Sequence, residues 1–306
     1  MAAPVTFIDC TYNDDREYLT MASSFDELED EEETFLSQMT VLSLKTGYAQ
    51  LRLDGIRARS VASNGRFTWV IGEQGEIWTY PRGVLTPAEE VLPDSGVRSD
   101  RHLGRPERIR LIAGIPYVCG YAGQVYTLSD GRWVHMDDGI VEPEGKVDSV
   151  ALEGIHGTGA KDIYVVGSGG TLAHWNGRTW TRIPLLTTVN LADVRAISKK
   201  HVVAVGDDGV FIEWDGTNWT VAQIPGYEET VLADVEVFKD KMYVAAVGQL
   251  LVRNTSGWSV VETGADDDPE FIRLAAGGGR LWAMGAKRVH SFDGKTWATH
   301  IDPDNG

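Results

Sequence analysis

Three stretches of this chain repeat one another: KDIYVVGSGGTLAHWNGRTWTRIP from Lys161, KHVVAVGDDGVFIEWDGTNWTVAQIP from Lys200, and RLWAMGAKRVHSFDGKTWATHID from Arg280. Each holds an apolar run, a glycine, a short turn, a second apolar run, an Asn-Gly or Asp-Gly pair and a tryptophan-bearing run. One marker glycine recurs at Gly72, Gly120, Gly167, Gly206, Gly248 and Gly285, and a second at Gly83, Gly131, Gly177, Gly216, Gly257 and Gly294. The second follows the first by roughly ten residues, a strand plus its turns, and units recur about every 40 residues, as a four-stranded blade requires. Residues 55–301 lack the 10–15-residue helical patterns that a barrel of alternating strands and helices needs.

The turn chemistry supports the same frame. Asn176-Gly177, Asp215-Gly216, Asp130-Gly131 and Asp293-Gly294 sit between alternating runs, where a type I′ hairpin turn calls for two residues at positive φ. Tryptophan follows at Trp133, Trp180, Trp219, Trp258 and Trp297. At a fixed position on an outer strand these rings are expected to pack between blades. The Asp-Gly-x-x-Trp unit resembles the bacterial propeller repeats grouped with the WD-repeat and YVTN-repeat superfamily, over residues 55–301. It is also similar to the Asp-box turn of sialidases, although Ser291-Phe292-Asp293-Gly294-Lys295-Thr296-Trp297 lacks the residue between aspartate and glycine. The resemblance implies a fold and no particular activity.

The expected fold is all-β: a single β-propeller domain over residues 1–306, with six recognisable repeats in 55–301. Residues 1–54 lack the repeat. VTFIDCTY, FLSQMTVLSLK and GYAQLRLD read as strands by alternation and β-branched content, which makes an irregular first blade and seven four-stranded blades in all. Six blades plus a cap is the alternative. Residues 13–34 are expected to be an acidic insert, a solvated loop or frayed helix, because 13–33 hold ten acids and one base.

Chemistry-bearing motifs are sparse. The seven histidines are scattered, and the sequence has no HExxH, no Cys-x-x-Cys, no GxSxG and no P-loop. Asp266-Asp267-Asp268 lacks the alternating ligands of a calcium loop, and Gly277-Gly278-Gly279 reads as an ordinary hairpin turn. No cofactor or metal is expected, and an enzyme is the less favoured reading. Two distant cysteines, Cys10 and Cys119, form no disulfide framework. The opening MAAPVTFIDCTY reads as no signal peptide, and no apolar stretch reaches the length of a membrane span. A cytoplasmic protein, monomeric when free, is expected. With a net charge of −17, nucleic acid and anionic membranes are poor partners.

Charge also sorts by turn. If strands a to d of each blade alternate in direction, the b–c and d–a connections share one face and the a–b and c–d turns the other. The first face collects Asp137, Asp138, Glu142, Glu144, Asp207, Asp208, Glu228, Glu229, Asp266, Asp267, Asp268 and Glu270, together with Glu73 and offset by Lys287 and Arg288. The second collects Arg66, Arg82, Arg178, Lys199, Lys200, Lys239, Lys241, Arg280 and Lys295. The acidic set is therefore the expected binding surface for a basic protein partner. The reading is a non-enzymatic protein-binding propeller, in its sharpest form an intracellular inhibitor or immunity protein that neutralises a toxin. The alternatives are a carbohydrate-active enzyme or lectin with its site at a channel mouth, and a structural propeller inside a larger assembly.

Overall fold

The computed structural model describes residues 3–28, 35–95, 103–140, 150–184, 186–264 and 270–306. It contains seven four-stranded antiparallel sheets, each built from four consecutive strands, and is a seven-bladed β-propeller. Blade 1 is β1 (Val5–Asn13), β2 (Tyr18–Phe25), β3 (Leu36–Ser43) and β4 (Gly47–Asp54); blade 2 is β5 (Ala58–Ser63), β6 (Phe67–Gly72), β7 (Glu76–Pro81) and β8 (Ala88–Val91). Blade 3 is β9 (Pro106–Ile112), β10 (Ile115–Gly120), β11 (Val125–Ser129) and β12 (Arg132–His135); blade 4 is β13 (Leu152–Gly159), β14 (Asp162–Gly167), β15 (Thr171–Trp175) and β16 (Trp180–Arg182). Blade 5 is β17 (Leu191–Ser198), β18 (His201–Gly206), β19 (Val210–Trp214) and β20 (Trp219–Gln223). Blade 6 is β21 (Leu232–Phe238), β22 (Lys241–Ala246), β23 (Gln249–Asn254) and β24 (Gly257–Val260). Blade 7 is β25 (Phe271–Gly277), β26 (Arg280–Gly285), β27 (Arg288–Phe292) and β28 (Trp297–Ile301). Among the described residues no helix is long and apolar enough to cross a membrane.

The second strand of each blade shows why the repeat folds this way. β14 is buried at all six positions, and β18, β22 and β26 are buried at nearly all. A continuous apolar run, as opposed to an alternating one, is what a strand covered on both faces needs. Outer strands are exposed, β8 at every residue. The core therefore lies between blades.

The chain divides into two compact units: residues 1–72, 77–90 and 236–306, and residues 73–76 and 91–235. In the first, Phe7, Leu19 and Met21 of blade 1 pack on Trp282, Met284 and Val289 of blade 7. Met39, Leu53 and Ile56 pack on Val61, Val70 and Trp78 of blade 2. In the second, blades 3 and 4 share the cluster of Tyr117, Cys119, Ile140, Ile155, Val165 and Trp180. Blades 4 and 5 share Tyr164, Val166, Leu172, Val194, Val202 and Ala204.

Two sequence expectations are corrected. Residues 18–25, assigned above to a solvated acidic insert, form β2, paired with β1 from Val5↔Phe25 to Asn13↔Tyr18 and with β3 from Tyr18↔Ser43 to Ser24↔Ser37. Leu19, Thr20, Met21, Ala22 and Ser23 are all buried, so this strand shows no alternation, and acids in the flanking turns mask it. Asp26–Leu28 is a single 3-10 turn, and 29–34 lie outside the described residues. The hairpin turns also differ in kind. Positive φ at two consecutive residues occurs at Asp130 and Gly131, whereas at 176–177, 215–216 and 293–294 only the glycine has it. There the preceding Asx side chain accepts from the amides two and three residues on: Asp215 Oδ1 from Thr217 N and Asn218 N, each at 2.7 Å. That Asx turn needs one left-handed residue where a type I′ turn needs two.

The C-terminal segment after β28 holds blade 1. Asn305 Oδ1 accepts from Val5 N at 2.9 Å, and Gln50 Nε2 donates to Asp302 Oδ1 and to Asp304 Oδ2, each at 2.8 Å. Asp302 is fully buried. Burial pushes its carboxyl pKa up, with the Asp304 charge adding to the rise and the Asp304 amide opposing it. A carboxyl whose folded pKa is raised contributes stability while protonated and loses it as pH rises through that pKa. Asp302→Asn is therefore expected to melt no lower than wild type at pH 7. Its advantage should shrink as pH falls toward 4, read by thermal melts across that range; a gap that widens on acidification would overturn this.

Candidate protein-binding surface

Within each sheet, antiparallel order puts the b–c and d–a connections at one end and the a–b and c–d turns at the other. Three b–c turns are built alike, from Gly120-Tyr121-Ala122-Gly123, Gly167-Ser168-Gly169-Gly170 and Gly206-Asp207-Asp208-Gly209. In each, the third residue has φ near +55 to +60°. In blade 5 that residue is Asp208, an aspartate being among the few side chains at ease there.

This turn is tied to the loop that follows β20. Gly209 N donates to Thr230 O at 2.8 Å, Ile224 N donates to Gly209 O at 2.9 Å, and Gln223 Nε2 donates to Asp208 O at 2.8 Å. Ile224 is buried beneath the loop. A Cβ on Gly209 would collide with Tyr227 O, so glycine is required for the close approach. The frame brings Asp207 and Asp208 of one connection together with Glu228 and Glu229 of the next. Asp208, Glu228 and Glu229 are exposed, and Asp207 is half-buried, its Oδ2 accepting from Asn190 Nδ2 at 3.0 Å. Donation by Gly226 N to the Glu228 carboxylate lowers its pKa. The turn at the other end of the same sheet carries exposed Lys199 and Lys200.

The remaining acids of the expected surface have different fates. Asp138 and Glu270 are exposed in their connections. Asp137 is buried: its Oδ2 accepts from Val125 N at 3.1 Å and lies 2.9 Å from His135 Nδ1. It anchors the loop after β12 to the start of β11 and is not a free contact residue. Glu142, Glu144, Asp266, Asp267 and Asp268 lie outside the described residues.

Carboxylates that the sequence did not single out do structural work on the inner strands. Asp9 accepts from Ser60 Oγ and from Val61 N, and lies 3.4 Å from Arg273 Nε. Asp193 accepts from Val235 N at 3.4 Å. Each thus stitches one blade's first strand to the next. The repeated Leu-Ala-Asp-Val at 191–194 and 232–235 was the available signal. Among the described residues, no group of three or more His, Cys, Asp or Glu could hold a metal ion.

No family model matches the chain. The Immune protein Tsi7 of Pseudomonas aeruginosa is 28% identical over 233 residues, covering 76% of this chain and 74% of that protein. Among solved structures, one described as YCF48 bound to D1 peptide superposes with a TM-score of 0.69 at 13% identity, over 99% of this chain and 93% of that one. The WD40 β-propeller domain of Doa1 superposes with a TM-score of 0.70 at 9% identity, over 100% of this chain and 96% of that one. Identities that low carry the fold alone, that of a seven-bladed β-propeller.

Proposed function

We propose that this protein is a non-enzymatic immunity protein, a propeller that binds and neutralises a basic protein toxin in the cytoplasm through its acidic loops. The observation that carries this reading is the similarity to an immune protein across three quarters of both chains. Support for the surface comes from Asp208, Glu228 and Glu229, exposed on a loop pair held rigid by its own backbone hydrogen bonds. Rigid presentation reduces the ordering cost of association, and acidic loops attract a basic partner and speed encounter.

The test is affinity capture from the native host, with wild-type protein beside a variant carrying Asp208→Asn, Glu228→Lys and Glu229→Lys. Asparagine is used at 208 because it tolerates the left-handed backbone. Wild type should retain a basic polypeptide that arrests growth when expressed alone and is tolerated when co-expressed with this protein. The triple variant should bind it at least about tenfold more weakly, since like-charge juxtaposition costs several kcal/mol. Association should also slow as salt rises, exposed charges being screened beyond about 8 Å at physiological ionic strength. Lys199→Glu with Lys200→Glu, at the other end of the blade, should leave affinity nearly unchanged. A captured polypeptide without toxicity, or equal loss from both variants, would overturn the proposal.

A further inference from the structure

A cleft of about 190 Å³ opens in the first unit between blades 1 and 2, at the end that carries the a–b and c–d turns. Arg16, Arg66 and Arg82 line it, one from each of three turns, and no aspartate or glutamate is among its lining residues. Of the acids beside Arg16, Glu17 pairs with Lys45 and Asp14 accepts from Gly278 N at 2.9 Å, while the Asp15 side chain lies against Gly65 of the cleft wall. Arg16 Nε is buried with no hydrogen-bond partner among the described residues. Arg66 lies over the Phe67 ring, 6.0 Å from its centroid.

Apart from Thr68, the rest of the lining is apolar or aromatic. Val41 and Leu51 contribute from the outer strands of blade 1, and Phe67 and Tyr80 from blade 2. The turn over 82–87 is longer than the corresponding turns at 130–131 and 255–256. It holds two lining residues open to solvent, Val84 at 46% and Leu85 at 76% exposure.

Three guanidiniums around one small cleft repel one another, and a buried N–H without an acceptor is costly. A bound anion relieves both. Arginine is also the side chain best suited to planar or tetrahedral oxyanions, and the exposed valine and leucine add apolar surface for a ligand's body. The volume lies below the 300–1,000 Å³ of drug-sized pockets, so the ligand is small. We propose that this cleft binds a small organic anion with a flat apolar body, of the aryl phosphate or aryl carboxylate class. Its anionic head meets the three arginines and its ring rests against Phe67 and Leu85. The site uses none of the acidic loop residues and stands independently of the immunity reading.

The test is isothermal titration calorimetry on the full chain, with phenyl phosphate and benzoate as probes and inorganic phosphate and benzyl alcohol as the separated halves. At least one aryl anion should saturate a single site with a Kd below about 1 mM. Inorganic phosphate and benzyl alcohol should each bind at least about tenfold more weakly, and the tighter aryl anion identifies the preferred head group. Arg66→Gln with Arg82→Gln, both on exposed turns, should weaken the aryl anion by at least about tenfold at an unchanged melting temperature. Leu85→Asp, also exposed, provides a second variant and should weaken it too. No saturable binding up to about 10 mM, unchanged affinity in both variants, or inorganic phosphate binding as tightly as phenyl phosphate would overturn the proposal.

Discussion

A chain from which residues 18–25 are excised is expected to lose cooperative unfolding altogether. β2 is the second strand of blade 1 and carries Leu19, Met21 and Ala22 at 0% exposure, against Trp282, Met284 and Val289 of blade 7 and Val61 and Val70 of blade 2. Its removal would strand the backbone donors and acceptors of β1 and β3, which no other strand can satisfy. Point substitutions grade the effect. Leu19→Ala and Met21→Ala should each cost about 2–5 kcal/mol, a large share of the roughly 5–15 kcal/mol by which domains are stable. Glu27→Gln, on the exposed turn beyond the strand, should stay within about 0.5 kcal/mol. Urea titrations followed by circular dichroism and tryptophan fluorescence report all four. A normal transition in the excised chain would show that blade 1 folds without β2.

Trp180→Ala is expected to cost about 3–5 kcal/mol, the usual range for deleting a buried aromatic side chain. Trp180 opens the outer strand of blade 4, but its ring is only 7% exposed because it joins the cluster that includes Tyr117 and Ile140 from blade 3 and the loop after it. Its indole N–H donates to Met136 O, and its ring centroid is 5.6 Å from that of Trp175. Trp180→Phe keeps most of the packing and leaves the Met136 carbonyl without that donor, so a loss of about 1–3 kcal/mol is expected. Trp219→Ala should be milder. Trp219 holds the equivalent position in blade 5 but is half-buried, packed on Tyr164 and Trp214. If Trp180→Ala melted like wild type yet lost partner binding, the ring would be a contact residue and not a packing one.

The blade repeat was legible because its signals are local. A glycine that must take positive φ, an Asx side chain that caps the amides two and three residues on and a tryptophan at the head of an outer strand each act within a few residues. Such repeat signals mark the blades of residues 55–301, whereas three strands of blade 1, which lacks the repeat, show only in their alternation and β-branched content. The same locality explains the acids in the b–c turn of blade 5, whose end of the sheet follows from strand alternation alone.

What the sequence left open depends on neighbours distant in the chain. β2 lacks alternation because it is covered on both faces, so only the packing of blades 7 and 2 against it distinguishes it from the charged turns around it. Asp137 reads like Asp138 in sequence, yet one caps Val125 N from inside and the other meets solvent. Asp9 and Asp193 acquire their roles only where the first strand of the next blade presents an amide. The arginine cleft is assembled from separate stretches between residues 16 and 85. Hairpins are set by torsion preferences and bonds a few residues long, whereas burial, carboxylate function and cleft geometry are set by which blade faces come together, and tertiary packing alone decides that.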